Sequence, residues 1–203
     1  MNLPNATGDT LWAVVAGAVL ATAGGFVATQ LEAALRRRER QRSAAIMFGE
    51  MLSSLETIVG IASQSRLRGD PYGSITMRLL RAASRETETY ERNRSTLYDL
   101  RDPELRVRIY VLMVQLTLAL EGVSETSAQI AEARALSDNP ALPKDRATAN
   151  AERRDRLAVE RDGTFAYVPT VVGEVTALVA ILQPLAKVNF ADLEKFSGNP
   201  FSS

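Results

Sequence analysis

From Thr10 to Leu31 the chain carries no charged side chain, and five Arg then fall within the next eleven residues. The run Leu11 to Leu31, LWAVVAGAVLATAGGFVATQL, is 21 residues long. As an α-helix it would span roughly 32 Å, close to the ~30 Å hydrocarbon core of a bilayer. It is therefore expected to be a transmembrane helix. Trp12 lies at one end, where an indole favours the water–lipid interface. At the other end Arg36, Arg37, Arg38, Arg40 and Arg42 make residues 32–42 a basic juxtamembrane segment. The nine residues before Thr10 hold no Lys or Arg. That asymmetry predicts a single-pass protein of the bacterial plasma membrane, with residues 1–10 outside and the chain after Arg36 in the cytoplasm.

Two other readings of the run compete with this one. A cleaved signal peptide could use Ala21-Thr22-Ala23 as its processing site, but the stretch before the apolar run is not basic and the Arg cluster lies on the wrong side. A buried helix of a soluble domain would be unusually free of charge for its length. Within the run, Ala13, Gly17, Ala21 and Gly25 recur every fourth residue and form a flat stripe suited to close helix pairing. Richness in Ala and Gly produces such stripes by itself. The Arg run would attract anionic lipid headgroups, at about 1 kcal/mol for each side chain near the surface, although an ordinary stop-transfer role already accounts for it.

The chain as a whole balances its charges, with 24 basic and 24 acidic residues, so no global electrostatic argument favours nucleic acid as a partner. There is no Cys and no His, which excludes disulfides, thiolate nucleophiles, sulfur-ligated zinc, His-based triads and the Glu-x-x-His di-metal sites of helical bundles. Arg outnumbers Lys 21 to 3, a bias typical of GC-rich bacterial or phage genomes.

Apolar residues at three- and four-residue spacing mark helices along the rest of the sequence. The first covers Ser43 to Leu67 and ends at the turn Arg68 to Gly73. A second runs from about Ser74 to Leu100 with the stripe Ile75, Leu79, Ala82/Ala83, Glu86, Tyr90, Asn93 and Leu97. Asp102-Pro103-Glu104 reads as a helix start, with Asp as cap, Pro at the first helical position and Glu at the positive end. That third helix fades near Leu136. Ser137 to Pro143 is a loop, Lys144 to Arg161 a charged, Ala-rich helix facing solvent, and Asp162-Gly163 a break. Thr164 then caps a last helix from Phe165 to Ala186, and Val188 to Ser203 forms a tail. Val168 to Ala186 is apolar enough to raise a second membrane span, but Glu174 would lie inside it at a cost of about 2.5–3.5 kcal/mol. The expected fold class is all-α: the transmembrane helix, then an antiparallel, four-helix-bundle-like cytoplasmic domain over residues 43–187, with coiled-coil-like packing.

No phosphate-binding glycine loop, dinucleotide fingerprint, EF-hand or nucleophile elbow is present, so no catalytic, cofactor-binding or metal-ligating residue is expected. The most unusual local feature is polar. Glu86, Tyr90 and Asn93 share the face of the second helix that should be buried, either as a polar core or docking patch or as a hydrogen-bond network that fixes helix register. The stretch TYERNRSTLYDLRDPELRVRIY, with Tyr90, Asn93, Leu97, Leu100 and Tyr110, resembles a pattern in uncharacterised bacterial proteins that have one membrane helix and a cytoplasmic helical region. The resemblance implies the same architecture and carries no activity or site residues. The expected function is that of a membrane-anchored interaction or scaffold module without enzymatic activity. Its partners would be the anionic bilayer, further copies of itself and a protein yet to be identified. The alternative is a phage-lysis or defence effector that oligomerises in the bilayer.

Overall fold

A computed structural model describes residues 6–69 and 71–190, with side chains described at 15, 17, 18, 20 and from residue 24 onward. Among the described residues every regular element is helical: α1 (Ala6–Arg66), α2 (Ser74–Asn93), a short 3-10 helix (Arg94–Asp99), α3 (Pro103–Ser137), α4 (Lys144–Val172) and α5 (Val175–Ala186). The chain divides into two compact units, Met1–Gln41 and Arg42–Ser203. Three helical stretches are long and apolar enough to cross a membrane, Gly24–Arg66, Pro103–Ser137 and Lys144–Ala186, where the sequence predicts a single span.

In the second unit α1 provides one wall of the core. Ala44, Phe48, Leu52, Leu55, Val59 and Ala62 are all buried, at spacings that keep them on one face. Helix α2 lies antiparallel to this wall. Thr76 near its start donates to Ser65 (3.1 Å), while Tyr90 near its end meets the ring of Phe48 at 6.2 Å. The α4–α5 segment is also antiparallel to α1, as Arg66 binds Asp162, Thr176 binds Glu56, and Arg42 binds the carbonyl of Ala186. Helix α3 closes the ring by running antiparallel to α4, with Gly122 beside Thr164 and Arg108 bound to Glu174.

Local chemistry sets most boundaries. After α1, Gly69 adopts φ +136, a conformation that side chains with a Cβ rarely reach. Asp102 caps α3 by accepting from the backbone N–H groups of Glu104 (2.9 Å) and Leu105 (3.3 Å), with Pro103 following it as the cap predicts. One expected boundary is absent: α4 runs straight through Asp162-Gly163. A helical glycine costs about 1 kcal/mol, and packing on both sides offsets this. Asp162 accepts from Tyr72 (2.6 Å) and Arg66 (3.0 Å), and Phe165 is buried one turn on. Thr164 is consequently not a cap; its hydroxyl donates back to the carbonyl of Glu160. The break comes instead at Gly173–Glu174, one turn beyond Pro169, which has no N–H to donate to the carbonyl of Phe165.

The α2 stripe also differs from the expected one. Its buried face is Thr76, Leu80, Ala83, Thr87 and Tyr90, while Ile75 is exposed. Two of these residues are threonines, which a search for apolar spacing passes over. They can be buried because Thr76 bonds to Ser65 and Thr87 to the carbonyl of Ser84. Of the tail expected from Val188 onward, Phe190 is buried in the core, and the part beyond it lies outside the described residues. The core ends at Val123 on α3 and resumes at Phe165 on α4. Between them the two helices continue as a hairpin of small contacts, with Thr126 and Ala133 as its buried α3 residues.

Phe190 can sit where it does because residue 49 is glycine: a Cβ there would collide with the tip of the Phe190 ring. Gly49→Ala should therefore destabilise the fold by about 1–3 kcal/mol, the usual cost of overpacking. The same change at Gly60, where a Cβ meets nothing within 4 Å, should be neutral or stabilising through helix propensity. Thermal unfolding of the two variants followed by circular dichroism checks this pair.

Candidate functional site

The surface of the first unit is its most distinctive feature. Leu20 is 73% exposed, Phe26 65%, and Val27, Leu31 and Leu35 are similarly open. Apolar side chains this large, repeated along one helix, have no cover among the described residues of their own unit and mark a surface for lipid or another helix. Of the small-residue stripe, Gly17 and Gly25 are exposed, and a Cβ at either would meet nothing within 4 Å. Ala13, Ala21 and Trp12 lie on α1 but outside the residues whose side chains are described.

The five Arg expected at the membrane interface divide into two groups. Arg36, Arg37, Arg38 and Arg40 are exposed, with Arg36 paired to Glu32 one turn earlier. Arg42, also exposed, begins the second unit, where its Nε donates to the Ala186 carbonyl at 3.1 Å. A cation at the last carbonyls of α5 meets the negative end of the helix dipole. This Arg therefore fastens α5 to α1, a role invisible in a local charge count because its partner is 144 residues away.

The polar cluster on α2 is also divided. Tyr90 is fully buried, whereas Glu86 and Asn93 are half-buried. Asn93 donates to the carbonyl of Thr89 at 2.9 Å and so closes the last turn of α2. Among the described residues the Tyr90 hydroxyl is buried without a hydrogen-bond partner. Burial pushes its pKa up to about 12, with nearby Arg94 opposing the shift. Between α2 and α3 a groove of about 480 Å³ is lined by Ser84, Thr87, Glu88, Glu91, Arg92, Thr117 and Glu121. The Thr87 hydroxyl is engaged with the Ser84 carbonyl, and Arg92 lies 3.9 Å from Glu88. The groove thus presents carboxylates and neutral hydroxyls without an assembled nucleophile and base. Among the described residues no group of three or more acidic side chains is placed to hold a metal ion.

A third cluster was not apparent from sequence. Asp162 binds Tyr72 and Arg66; Arg161 stacks on the Tyr72 ring at 3.5 Å; and Arg66 lies 4.6 Å over Phe165. Burial and the hydrogen bond to Asp162 raise the Tyr72 pKa to about 12. The arrangement pins the α1–α2 turn onto α4 through cation–π and charge-assisted contacts. Its members are separated by up to 99 residues (66 to 165), so no local motif announces it.

These two tyrosines predict an alkaline limit to stability. Each is neutral in the folded chain up to about pH 12 but ionises near pH 10 when unfolded, so the native state holds more protons in that window. Stability should be intact below pH 10 and fall between pH 10 and 12. Tyr90→Phe should weaken that dependence and cost little at pH 7, because it removes an unpartnered buried hydroxyl. Tyr90→Ala should cost about 3–5 kcal/mol. Urea unfolding midpoints across pH 8–12 test both statements.

Compared with models of known protein families, with curated proteins and with solved structures, the chain matches none.

Proposed function

We propose that the protein is a membrane-anchored helical interaction module without enzymatic activity, in which Leu11–Leu31 crosses the bilayer once and the unit from Arg42 onward is a self-associating scaffold on the cytoplasmic side. The observation that carries this reading is an apolar helix that has no cover within its own unit. The run from Thr10 to Leu31 is free of charge over 22 residues, and its described large side chains are exposed. A span needs about 20 such residues.

The two further stretches of sufficient length and apolarity suit this role less well. In α3 only the 12 residues Ile109 to Leu120 are consecutively free of charge, between Arg108 and Glu121. In α4–α5, Glu174 interrupts the apolar run. Both also bury a face in the core, with Leu112, Leu116, Leu120, Val168, Leu178 and Leu182 all inside it, so their apolar character has a use that does not require lipid. The asymmetry of Arg36 to Arg40 supports the cytoplasmic placement of the second unit. The second reading, an effector that oligomerises in the bilayer, draws on those two stretches as additional inserting helices.

Membrane fractionation with C-terminal reporters separates the readings. The expected result is retention through alkaline carbonate washing, with a fluorescent C-terminal fusion active and an alkaline phosphatase fusion inactive. Leu20→Arg with Phe26→Arg, each costing about 2.5–3.5 kcal/mol in a helix centre, should release the chain to the soluble fraction. Active phosphatase would overturn the orientation, and retention of the double variant would shift the anchor to another helix. Loss of membrane potential on induced expression, followed with a voltage-sensitive dye, would favour the effector.

A further inference from the structure

The apolar core stops at one level of the α3–α4 hairpin, and both helices carry a glycine at that level. Val123 on α3 and Phe165 on α4 are the core residues nearest the hairpin's far end, and Gly122 and Gly163 lie within two residues of them. Gly122 sits against Thr164, whose methyl group a Cβ would meet at 3.2 Å. The two glycines therefore share one height in the bundle. A Cβ at Gly163 would meet nothing within 4 Å, so packing does not call for a glycine there. Its effect is to make α4 about 1 kcal/mol weaker at that point than alanine would. Thr164 adds to this, because its hydroxyl donates to the Glu160 carbonyl at 3.0 Å, a back-bond across the glycine of the kind that bends helices.

Beyond the glycines, residues 124–162 form a two-helix arm in which no large apolar side chain is buried. Ile130, Leu142 and Leu157 are half-buried, and Leu136 and Val159 are exposed. Packing this thin does little to fix the angle of the arm. A clamp on Asp162, the last residue before Gly163, fixes it instead. The Tyr72 hydroxyl and the Arg66 guanidinium both donate to its Oδ1, at 2.6 and 3.0 Å, and Arg161 lies 3.5 Å over the Tyr72 ring. Arg66 also covers Phe165 at 4.6 Å, so one guanidinium holds residues on both sides of Gly163.

We propose that Gly122 and Gly163 are the hinge of the α3–α4 arm and that the Asp162 clamp is its catch. With Asp162 bound to Tyr72 and Arg66 the arm is held at one angle. When the clamp opens, the arm turns as an intact helical hairpin while the core stays packed. A hinge needs only a few residues that absorb the backbone change, often small ones, and two facing glycines at the edge of a core meet that need. The Asp162 side chain is 54% exposed, so a competing charge from solvent or from a partner can reach the catch. Every group involved belongs to the second unit, and the inference stands independently of the membrane-anchored reading.

The absence of cysteine allows two spin labels to be placed without background, at Leu67→Cys, 85% exposed at the end of α1, and at Ala141→Cys, exposed at the tip of the arm. Pulsed electron paramagnetic resonance on the full chain should give one narrow distance. Asp162→Asn and Tyr72→Phe should each add a second distance, with a population at least threefold above any in the parent chain, at unchanged far-UV circular dichroism. Adding Gly163→Ala to Asp162→Asn should restore the single distance. An unchanged distance in Asp162→Asn would overturn the catch. A second distance that survives Gly163→Ala would overturn the hinge. Loss of helical signal in step with the second distance would mean that the arm melts and would overturn its motion as a hairpin.

Discussion

Helices α2 and α4–α5 of the second unit are laid against the stripe of α1 between Ala44 and Ala62. Its small residues at either end and its large ones in the middle, Phe48, Leu52 and Leu55, give α2 and α4–α5 a common wall on which to pack antiparallel. Polar contacts fix both ends of that wall. At one end Arg42 holds the last carbonyl of α5, and Phe190 closes over Gly49. At the other, Arg66 and Tyr72 converge on Asp162. Apolar burial supplies the non-directional driving force, and these directional contacts select the register in which it is satisfied.

Helix α3 is shaped by a different compromise. A helix that is apolar on all sides belongs in a core or a membrane, yet α3 forms one side of a bundle, with one face inside and one outside. Its composition alone therefore cannot tell a membrane span from an interface helix. Its inner face packs against α4 and α2, while the apolar part of its outer face ends at Glu121. The α3–α4 hairpin beyond Val123 follows the opposite logic. Small residues such as Ala133 let two charged helices approach each other without a large core.

The helices themselves were legible because each signal was local: the Asp102-Pro103 start, the Gly69 turn and the 3–4 spacing in α1 and α3. The errors came where distant residues outweighed local ones. Asp162-Gly163 has the composition of a break, but Tyr72, Arg66 and the seating of Phe165 hold it helical. The stripe of α2 expected from apolar spacing shares Ala83, Tyr90 and Leu97 with the buried face but misses Thr76 and Thr87, which are polar in the sequence and enter the core only through Ser65 and the Ser84 carbonyl. Glu86, Tyr90 and Asn93 looked like one site on a helical projection. In the fold Tyr90 is buried against Phe48, and Asn93 serves the end of its own helix.

The sequence by itself determined the helical class, the long uncharged run and the chemistry excluded by the absence of Cys and His, since these depend only on residue type and on spacing within a few turns. The tertiary structure decided which apolar faces are covered, which Arg fasten the fold and which remain at the surface, and where α4 breaks. Those outcomes depend on contacts between residues up to 144 positions apart, whose energies no local pattern contains.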